Sequence, residues 1–149
     1  MSLKIFDKIK HFKLEDFDHP DMLDDITLQM LDDMVEQEGW VKKISIKMHA
    51  DFAYSGHSDK SMHYMGKAFD ISILDTESGK PLPIIEQFLI AIRYFWTGIG
   101  IYPRWNSPGL HLDTRPITRF TRRTFWYLDR DGNYNKSIKQ FLSEEGVKI

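Results

Sequence analysis

Residues 67–74 alternate large apolar side chains with small or polar ones. A period of two predicts a β-strand whose two faces differ in character. One face carries Phe69, Ile71 and Ile73, and the other carries Ala68, Asp70 and Ser72. A carboxylate opposite three large apolar residues points away from the main core, so we expect Asp70 to face a cleft.

Other elements are read from the same patterns. His19-Pro20 favours a helix start, Leu23, Ile26, Met30 and Met34 follow at helical spacing, and Gly39 favours its end. A second, mostly apolar helix is expected over residues 81–96, and a small helix over 136–144. Further strands are expected at residues 43–48, 98–102, 110–114 and 124–128, with a polar loop over 49–62 and a hairpin turn over 129–133.

The 149 residues, of which 42% are hydrophobic, suit one domain with a real core. We therefore expect an α+β fold with a small, mostly antiparallel sheet and helices packed on one face. The domain is expected to span residues 1–149. Residues 1–10 form an N-terminal lead-in segment of it, and residues 118–149 form a C-terminal hairpin and short helix.

Composition excludes several classes of protein. The chain has no cysteine, which removes disulfides, thiolate metal sites and cysteine nucleophiles. A net charge of −2 argues against a nucleic-acid binder, and the short basic run of Arg119, Arg122 and Arg123 is typical of a solvated face. No apolar stretch is long enough for a membrane span, and the N-terminus does not resemble a signal peptide. We expect a monomer.

Two histidines and one carboxylate stand out as a candidate metal site. His63 lies just before the strand of Asp70, and His111 shares a strand face with Asp113, two residues on. Two imidazoles and one carboxylate match the ligands of a catalytic zinc that keeps one position open for water. The alternative is that these histidines are ordinary surface or core residues and that no metal binds.

The residues around these positions resemble two motifs of the zinc D-alanyl-D-alanine carboxypeptidase family, which includes phage endolysins and shares the hedgehog fold. The first motif is Ser61-x-His63-x-x-Gly66-x-Ala68-x-Asp70. The second is Gly98-Ile-Gly-Ile-Tyr-Pro103 followed by Leu110-His-Leu-Asp-Thr-Arg115. Residues 12–18 and the helix after them are similar to the entry segment of phage-encoded members.

This resemblance implies a zinc peptidase that acts on peptidoglycan stem or cross-bridge peptides, with His63, Asp70 and His111 as the zinc ligands. It also suggests a phage-encoded protein that acts at the cell wall after release. The usual general base three residues before the second zinc histidine is missing, since Pro108 stands there, and Gly109 replaces the histidine of a further subgroup. Asp113 is then either the base or a residue that orients a ligand.

The arginine that relatives carry before the first motif is also missing. His49 is its nearest equivalent, or Lys47 if the register shifts, and His57 is a further polar candidate. Tyr64, Tyr102 and Trp105 are candidates to bracket a peptide, although each could serve packing alone. With the usual base and arginine missing, the alternative function is a zinc-binding structural or binding module that has lost catalysis.

Overall fold

The computed structural model describes residues 3–58, 60–117 and 122–147. Within them the protein is α+β, as predicted, with three α-helices and a six-stranded sheet. The helices are α1 (Asp25–Glu38), α2 (Ile84–Ile92) and α3 (Ile138–Glu144). The strands are β1 (Ile44–Ala50), β2 (Ala68–Asp75), β3 (Gly98–Tyr102), β4 (Gly109–Asp113), β5 (Thr124–Leu128) and β6 (Tyr134–Asn135).

The sheet has the strand order β1-β2-β4-β3-β5-β6 and is mostly antiparallel, as predicted. The exception is the pair β3–β5, which runs parallel. At the centre of the sheet, Asp70 on β2 lies directly opposite His111 on β4, and His111 lies opposite Gly100 on β3. Directly opposed residues share a face, so the register puts these three positions on one side of the sheet.

The other side of the sheet is the hydrophobic core. Phe69, Ile71 and Ile73 are fully buried there, as their alternation predicts. They belong to one cluster with apolar residues of all three helices, among them Leu31 of α1, Phe88 of α2 and Phe141 of α3. The helices therefore cover the apolar face and leave the face of Asp70 and His111 free for a site.

Helix α1 begins later than predicted. Pro20 heads a short 3-10 helix, Pro20–Met22, and the α-helix starts only after Asp24. The Asp24 carboxylate accepts a hydrogen bond from the Thr27 N–H at 3.0 Å and so caps the helix. The predicted helix start at His19-Pro20 is therefore wrong, while the predicted helix end at Gly39 is confirmed.

Two further boundaries differ from prediction. Helix α2 is shorter than residues 81–96, since Pro81 pairs with Leu74 in an isolated β-bridge and Pro83 is the N-cap. Strand β1 is longer, because its pairing with β2 continues past an irregularity between Met48 and Ala50. His49 is consequently part of a strand and not of the loop that follows.

The C-terminal region contains the expected hairpin and helix. Strands β5 and β6 pair in antiparallel fashion, and the Asp129 carboxylate accepts hydrogen bonds from the N–H groups of Asp131 and Asn133 in the turn between them. Residues 118–121 and 148–149 of the predicted C-terminal segment, Arg119 among them, lie outside the described residues. Among the described helices, none is long and apolar enough to cross a membrane.

Candidate metal centre

Three elements bring His63, Asp70 and His111 together. Asp70 and His111 come from the paired strands β2 and β4, and His63 comes from a short 3-10 helix, Met62–Met65, just before β2. Gly66 ends this helix with φ at +67°, and a Cβ there would lie 2.0 Å from the Met22 carbonyl oxygen. Only glycine meets both requirements, so Gly66 lets the chain turn from the 3-10 helix of His63 toward β2 while packing closely on the backbone of Met22.

The carboxylate of Asp70 lies between the two imidazoles. Its Oδ1 atom is 3.1 Å from His63 Nε2 and 3.0 Å from His111 Nδ1. His63 is 1% exposed and His111 is 7% exposed, so the contacts are largely shielded from water. Asp70 therefore contacts both of the histidines that the sequence predicts as ligands.

The tautomer of His63 follows from its second nitrogen. His63 Nδ1 lies 2.6 Å from the main-chain carbonyl oxygen of Asp51. A carbonyl oxygen can only accept, so Nδ1 carries the proton and donates it. In the neutral ring, Nε2 then carries a lone pair and no proton. This nitrogen is buried and has no hydrogen-bond partner among the described residues.

His111 is oriented in the same way by Asp113. His111 Nε2 lies 2.7 Å from Asp113 Oδ2, and it donates because the carboxylate accepts. The lone pair of neutral His111 is therefore on Nδ1 and faces Asp70. Two imidazole lone pairs thus point at one carboxylate oxygen, which is repulsive unless a cation, either protons or a metal ion, lies among them.

The close contacts between Asp70 and the two histidines shift the pKa values of Asp70 and His111. Burial disfavours a charge on Asp70, but its contacts with His111 and His63 outweigh burial and hold the Asp70 pKa well below its usual range. Burial likewise opposes a charge on His111, yet hydrogen bonds with Asp113 and Asp70 raise the His111 pKa. Both shifts have one cause: opposite charges on the carboxylates and the imidazoles stabilise each other at close range.

His57 approaches the same point from the loop after β1. Ligand atoms of His57, His63 and Asp70 all lie within 4.8 Å of one another, so this group could hold a metal ion. The imidazoles of His57 and His63 stack with centroids 4.2 Å apart. The sequence suggests His57 as a substrate contact, whereas the structure places it beside the predicted metal ligands.

Asp113 lies behind His111 and is fully buried. The guanidinium of Arg115 donates to both of its oxygens, at 2.9 Å to Oδ1 and 2.6 Å to Oδ2. Although burial would raise the Asp113 pKa, these bonds and that from His111 lower it to about 2. Of the two roles open to Asp113, these contacts favour the orientation of His111 over proton transfer to a substrate.

His49, the other candidate catalytic residue, has different partners. Its Nε2 lies 2.7 Å from the hydroxyl of Ser72, and its ring packs edge-on against Trp105. Burial and the charge of Lys47 lower the His49 pKa. These contacts do not join His49 to Asp70 or to either metal-ligand histidine.

A pocket of about 630 Å³ opens over the candidate centre. Of the aromatic residues singled out in the sequence, Tyr102 lines it. Trp105 stacks on Tyr102 at 4.3 Å without lining the pocket, and the Tyr64 hydroxyl is engaged with the backbone of His57. The pocket walls also include residues that sequence reasoning missed: Lys60, Arg115, Trp126, Tyr134 and Lys136.

Trp126 is the most prominent of the missed residues. Its indole N–H donates to the Tyr102 hydroxyl at 3.0 Å, and the Arg115 guanidinium carbon lies 5.0 Å from the centre of its ring. A Cβ on Gly100 would lie 2.5 Å from this indole, so the glycine makes room for it. The alternation of residues 124–128 could have placed Trp126 on the site face, opposite Phe125 and Tyr127.

No protein-family model matches this sequence, and none of the curated proteins matches it. The resemblance to zinc carboxypeptidase motifs therefore stays a prediction.

Proposed function

We propose that the protein is a zinc-dependent peptidase that acts on peptidoglycan peptides. The proposal depends on one observation, the two buried imidazole nitrogens that lie 3.0 and 3.1 Å from a single oxygen of Asp70. In metal-binding sites the histidine nitrogen that does not bind the metal donates to a carbonyl or carboxylate oxygen, as Asp51 and Asp113 accept here.

The residues present fit a zinc ion. Ligand atoms in a tetrahedral zinc site lie about 3.3 Å apart, given metal distances near 2.0–2.1 Å. The distances from Asp70 Oδ1 to the two nitrogens, 3.0 and 3.1 Å, are close to that spacing. His111 is not part of the group of His57, His63 and Asp70 whose ligand atoms all lie within 4.8 Å of one another, so its nitrogen would have to move toward that of His63 to bind the same ion. Nitrogen and carboxylate ligands without a thiolate also suit zinc in a chain that has no cysteine.

When bound, zinc would polarise a substrate carbonyl and lower the pKa of a water molecule to near 7. The protein's own residues orient the ligands and hold them in place. Asp51 and Asp113 hold the two imidazoles in the tautomers that leave a lone pair for the metal. Arg115 holds Asp113 ionised, and the apolar core behind the sheet keeps the strands of Asp70 and His111 in place.

The pocket walls suit a peptide that carries carboxylates. Lys60 and Lys136 supply positive charge, whereas the charge of Arg115 is largely offset by its ion pair with Asp113. Tyr102 and Trp126 supply flat surfaces. Among the described residues that line the pocket, Asp70 is the only acid. Peptidoglycan stem peptides carry several carboxylates, so these cations would favour them electrostatically. The resemblance of both histidine motifs to zinc carboxypeptidases supports the same class of substrate.

A zinc-binding module without catalysis is the second candidate. It is favoured by the hydrogen bonds of Asp113, whose two oxygens are both engaged by Arg115 and one of them also by His111. Asp113 does not line the pocket, and the only acid among the described lining residues is the proposed ligand Asp70, so no carboxylate there is left to take a proton from the attacking water.

Digestion of purified peptidoglycan by the zinc-loaded protein tests the proposal. We expect new amino or carboxyl termini, identified by mass spectrometry of the released fragments. Asp70→Asn should abolish their release, while Asp131→Asn, in the exposed β5–β6 turn, should not. One bound zinc per chain with no cleavage of peptidoglycan or of isolated stem peptides would favour the second candidate and overturn the first.

A further inference from the structure

We propose that His57 is a fourth ligand of the metal, so that four protein groups close the resting site. This inference rests on the proposed metal centre but not on peptidase activity. It concerns the loop between β1 and the 3-10 helix of His63, where the sequence suggests His57 as a substrate contact and not as a metal ligand. The four groups would be His57, His63, Asp70 and His111.

The imidazole of His57 is placed for this role. One of its nitrogens lies within 4.8 Å of ligand atoms of both His63 and Asp70. The rings of His57 and His63 are stacked with their planes 22° apart, so the His57 side chain would have to rotate out of this stack for its lone pair to meet that of His63 at one ion. Among the described residues no group makes a hydrogen bond to either ring nitrogen of His57, so a nitrogen is available to a metal.

The backbone of His57 is held in place by the neighbour of a predicted ligand. The Tyr64 hydroxyl accepts a hydrogen bond from the His57 N–H at 2.9 Å and donates one to the His57 carbonyl oxygen at 2.7 Å. Tyr64 follows His63 in the same 3-10 helix. The element that positions His63 therefore also positions His57, which is not expected of a loop histidine without a function.

Closure by His57 has a consequence for access to the metal. Zinc sites with four protein ligands are closed, whereas catalytic sites keep one position for water. Exchange of His57 for water would need only the loop to move, because Tyr54, Ser55, Gly56 and Ser58 are exposed. The two bonds from Tyr64 are the contacts that such a movement would break.

Cobalt substitution tests the inference without a substrate. We would load the full-length protein with Co²⁺ and record its visible absorption, which reports coordination number, and measure Zn²⁺ affinity by competition with a chromophoric chelator. The variants are His57→Ala, which removes the imidazole, and Tyr64→Phe, which keeps it but releases the loop. His11→Gln, which removes an exposed histidine elsewhere, is the matched control.

We expect His57→Ala to change the Co²⁺ spectrum and to make it respond to azide, since an open position can bind an added anion. Its Zn²⁺ affinity should fall by at least the roughly tenfold that loss of an outer hydrogen-bond partner costs. Tyr64→Phe should shift both measurements in the same direction but less, and His11→Gln should shift neither.

Two outcomes would overturn the inference, and they are distinguishable. If the wild-type protein binds metal and His57→Ala has the same spectrum and affinity, His57 is not a ligand, and the three-ligand centre stands. If the wild-type protein binds neither metal, the proposed function fails together with the inference.

Discussion

The Nδ1–H of His63 donates to the main-chain carbonyl oxygen of Asp51 at 2.6 Å, and this contact fixes which nitrogen of His63 faces the site. Nε2 is left as a buried lone pair 3.1 Å from Asp70. His111 is held in the corresponding way by Asp113. A carbonyl and a carboxylate outside the centre thus orient the groups that would bind the metal.

Replacement of Asp113 by asparagine should weaken metal binding. The amide side chain would have one acceptor oxygen to share between Arg115 and His111, and an amide N–H turned toward His111 would favour the wrong tautomer. We expect Zn²⁺ affinity to fall about 10- to 100-fold in Asp113→Asn, measured by chelator competition. Asp131→Asn is the control. Unchanged affinity together with complete loss of cleavage would instead identify Asp113 as the proton acceptor.

The stability of the metal-free protein should depend on pH in two ranges. The folded-state pKa of Asp113 is lowered to about 2, so its stabilisation is present above about pH 4 and is lost as the pH falls toward 2, by roughly 2 kcal/mol. The folded-state pKa of His111 is raised, so its stabilisation is present below about pH 6.5 and is lost as the pH rises through the raised value.

Urea unfolding at a series of pH values, with metal removed by a chelator, measures both ranges. We expect maximal stability between them and a smaller acid loss in Asp113→Asn. The loss at high pH should disappear in the zinc-loaded protein, because the metal replaces the protons among the imidazoles. A high-pH loss that zinc leaves unchanged would contradict the proposed position of the metal.

Alanine at Gly98 and at Gly100 should have different effects. A Cβ on Gly98 would lie 2.2 Å from the Asp113 carboxylate, whereas a Cβ on Gly100 would lie 2.5 Å from the Trp126 indole. Gly98→Ala should therefore displace Asp113 and lower both thermal stability and Zn²⁺ affinity. Gly100→Ala should displace Trp126 and lower stability with a smaller change in Zn²⁺ affinity. Equal losses of zinc affinity in both variants would show that Asp113 has no special part in binding.

Trp126 should act on the substrate rather than on the metal. It lines the pocket and is joined to Tyr102 by a hydrogen bond. Its ring packs on that of His111 with centroids 5.1 Å apart, but no hydrogen bond joins it to Asp70 or to His111. We expect Trp126→Leu to raise KM for a stem peptide several-fold, about 1 kcal/mol of binding, while Zn²⁺ affinity stays within about twofold. A fall in kcat with unchanged KM would contradict this role.

Local patterns predicted the parts of the fold that depend on one strand or one turn. The alternation around Asp70 gave the correct faces of β2, and Asp129 with Gly132 marked the turn of the last hairpin. The parallel pairing of β3 with β5 and the late start of α1 depend on distant contacts and on the cap of Asp24, and these were not predicted.

The candidate site also has parts that the sequence predicts and parts that it does not. The grouping of His63, Asp70 and His111 was predicted from the faces of two strands together with the resemblance to the two zinc carboxypeptidase motifs, and the spacing alone was modest evidence for it. The roles of Asp51 and Arg115 could not be predicted, because each depends on which distant residue its group meets. The alternation of residues 124–128 could have placed Trp126 on the site face, but not its hydrogen bond with Tyr102. The sequence left open whether Asp113 is the general base or orients a ligand. Its hydrogen bonds with His111 and Arg115 favour the second role.

Diffraction data collected on either side of the zinc absorption edge, from crystals of the zinc-loaded protein, test the central claim most directly. We expect one anomalous peak per chain, within about 2.0–2.2 Å of His63 Nε2, an Asp70 oxygen and His111 Nδ1. A protein that takes up no zinc, or a peak coordinated by other residues with these three still in contact as hydrogen-bonded partners, would contradict it.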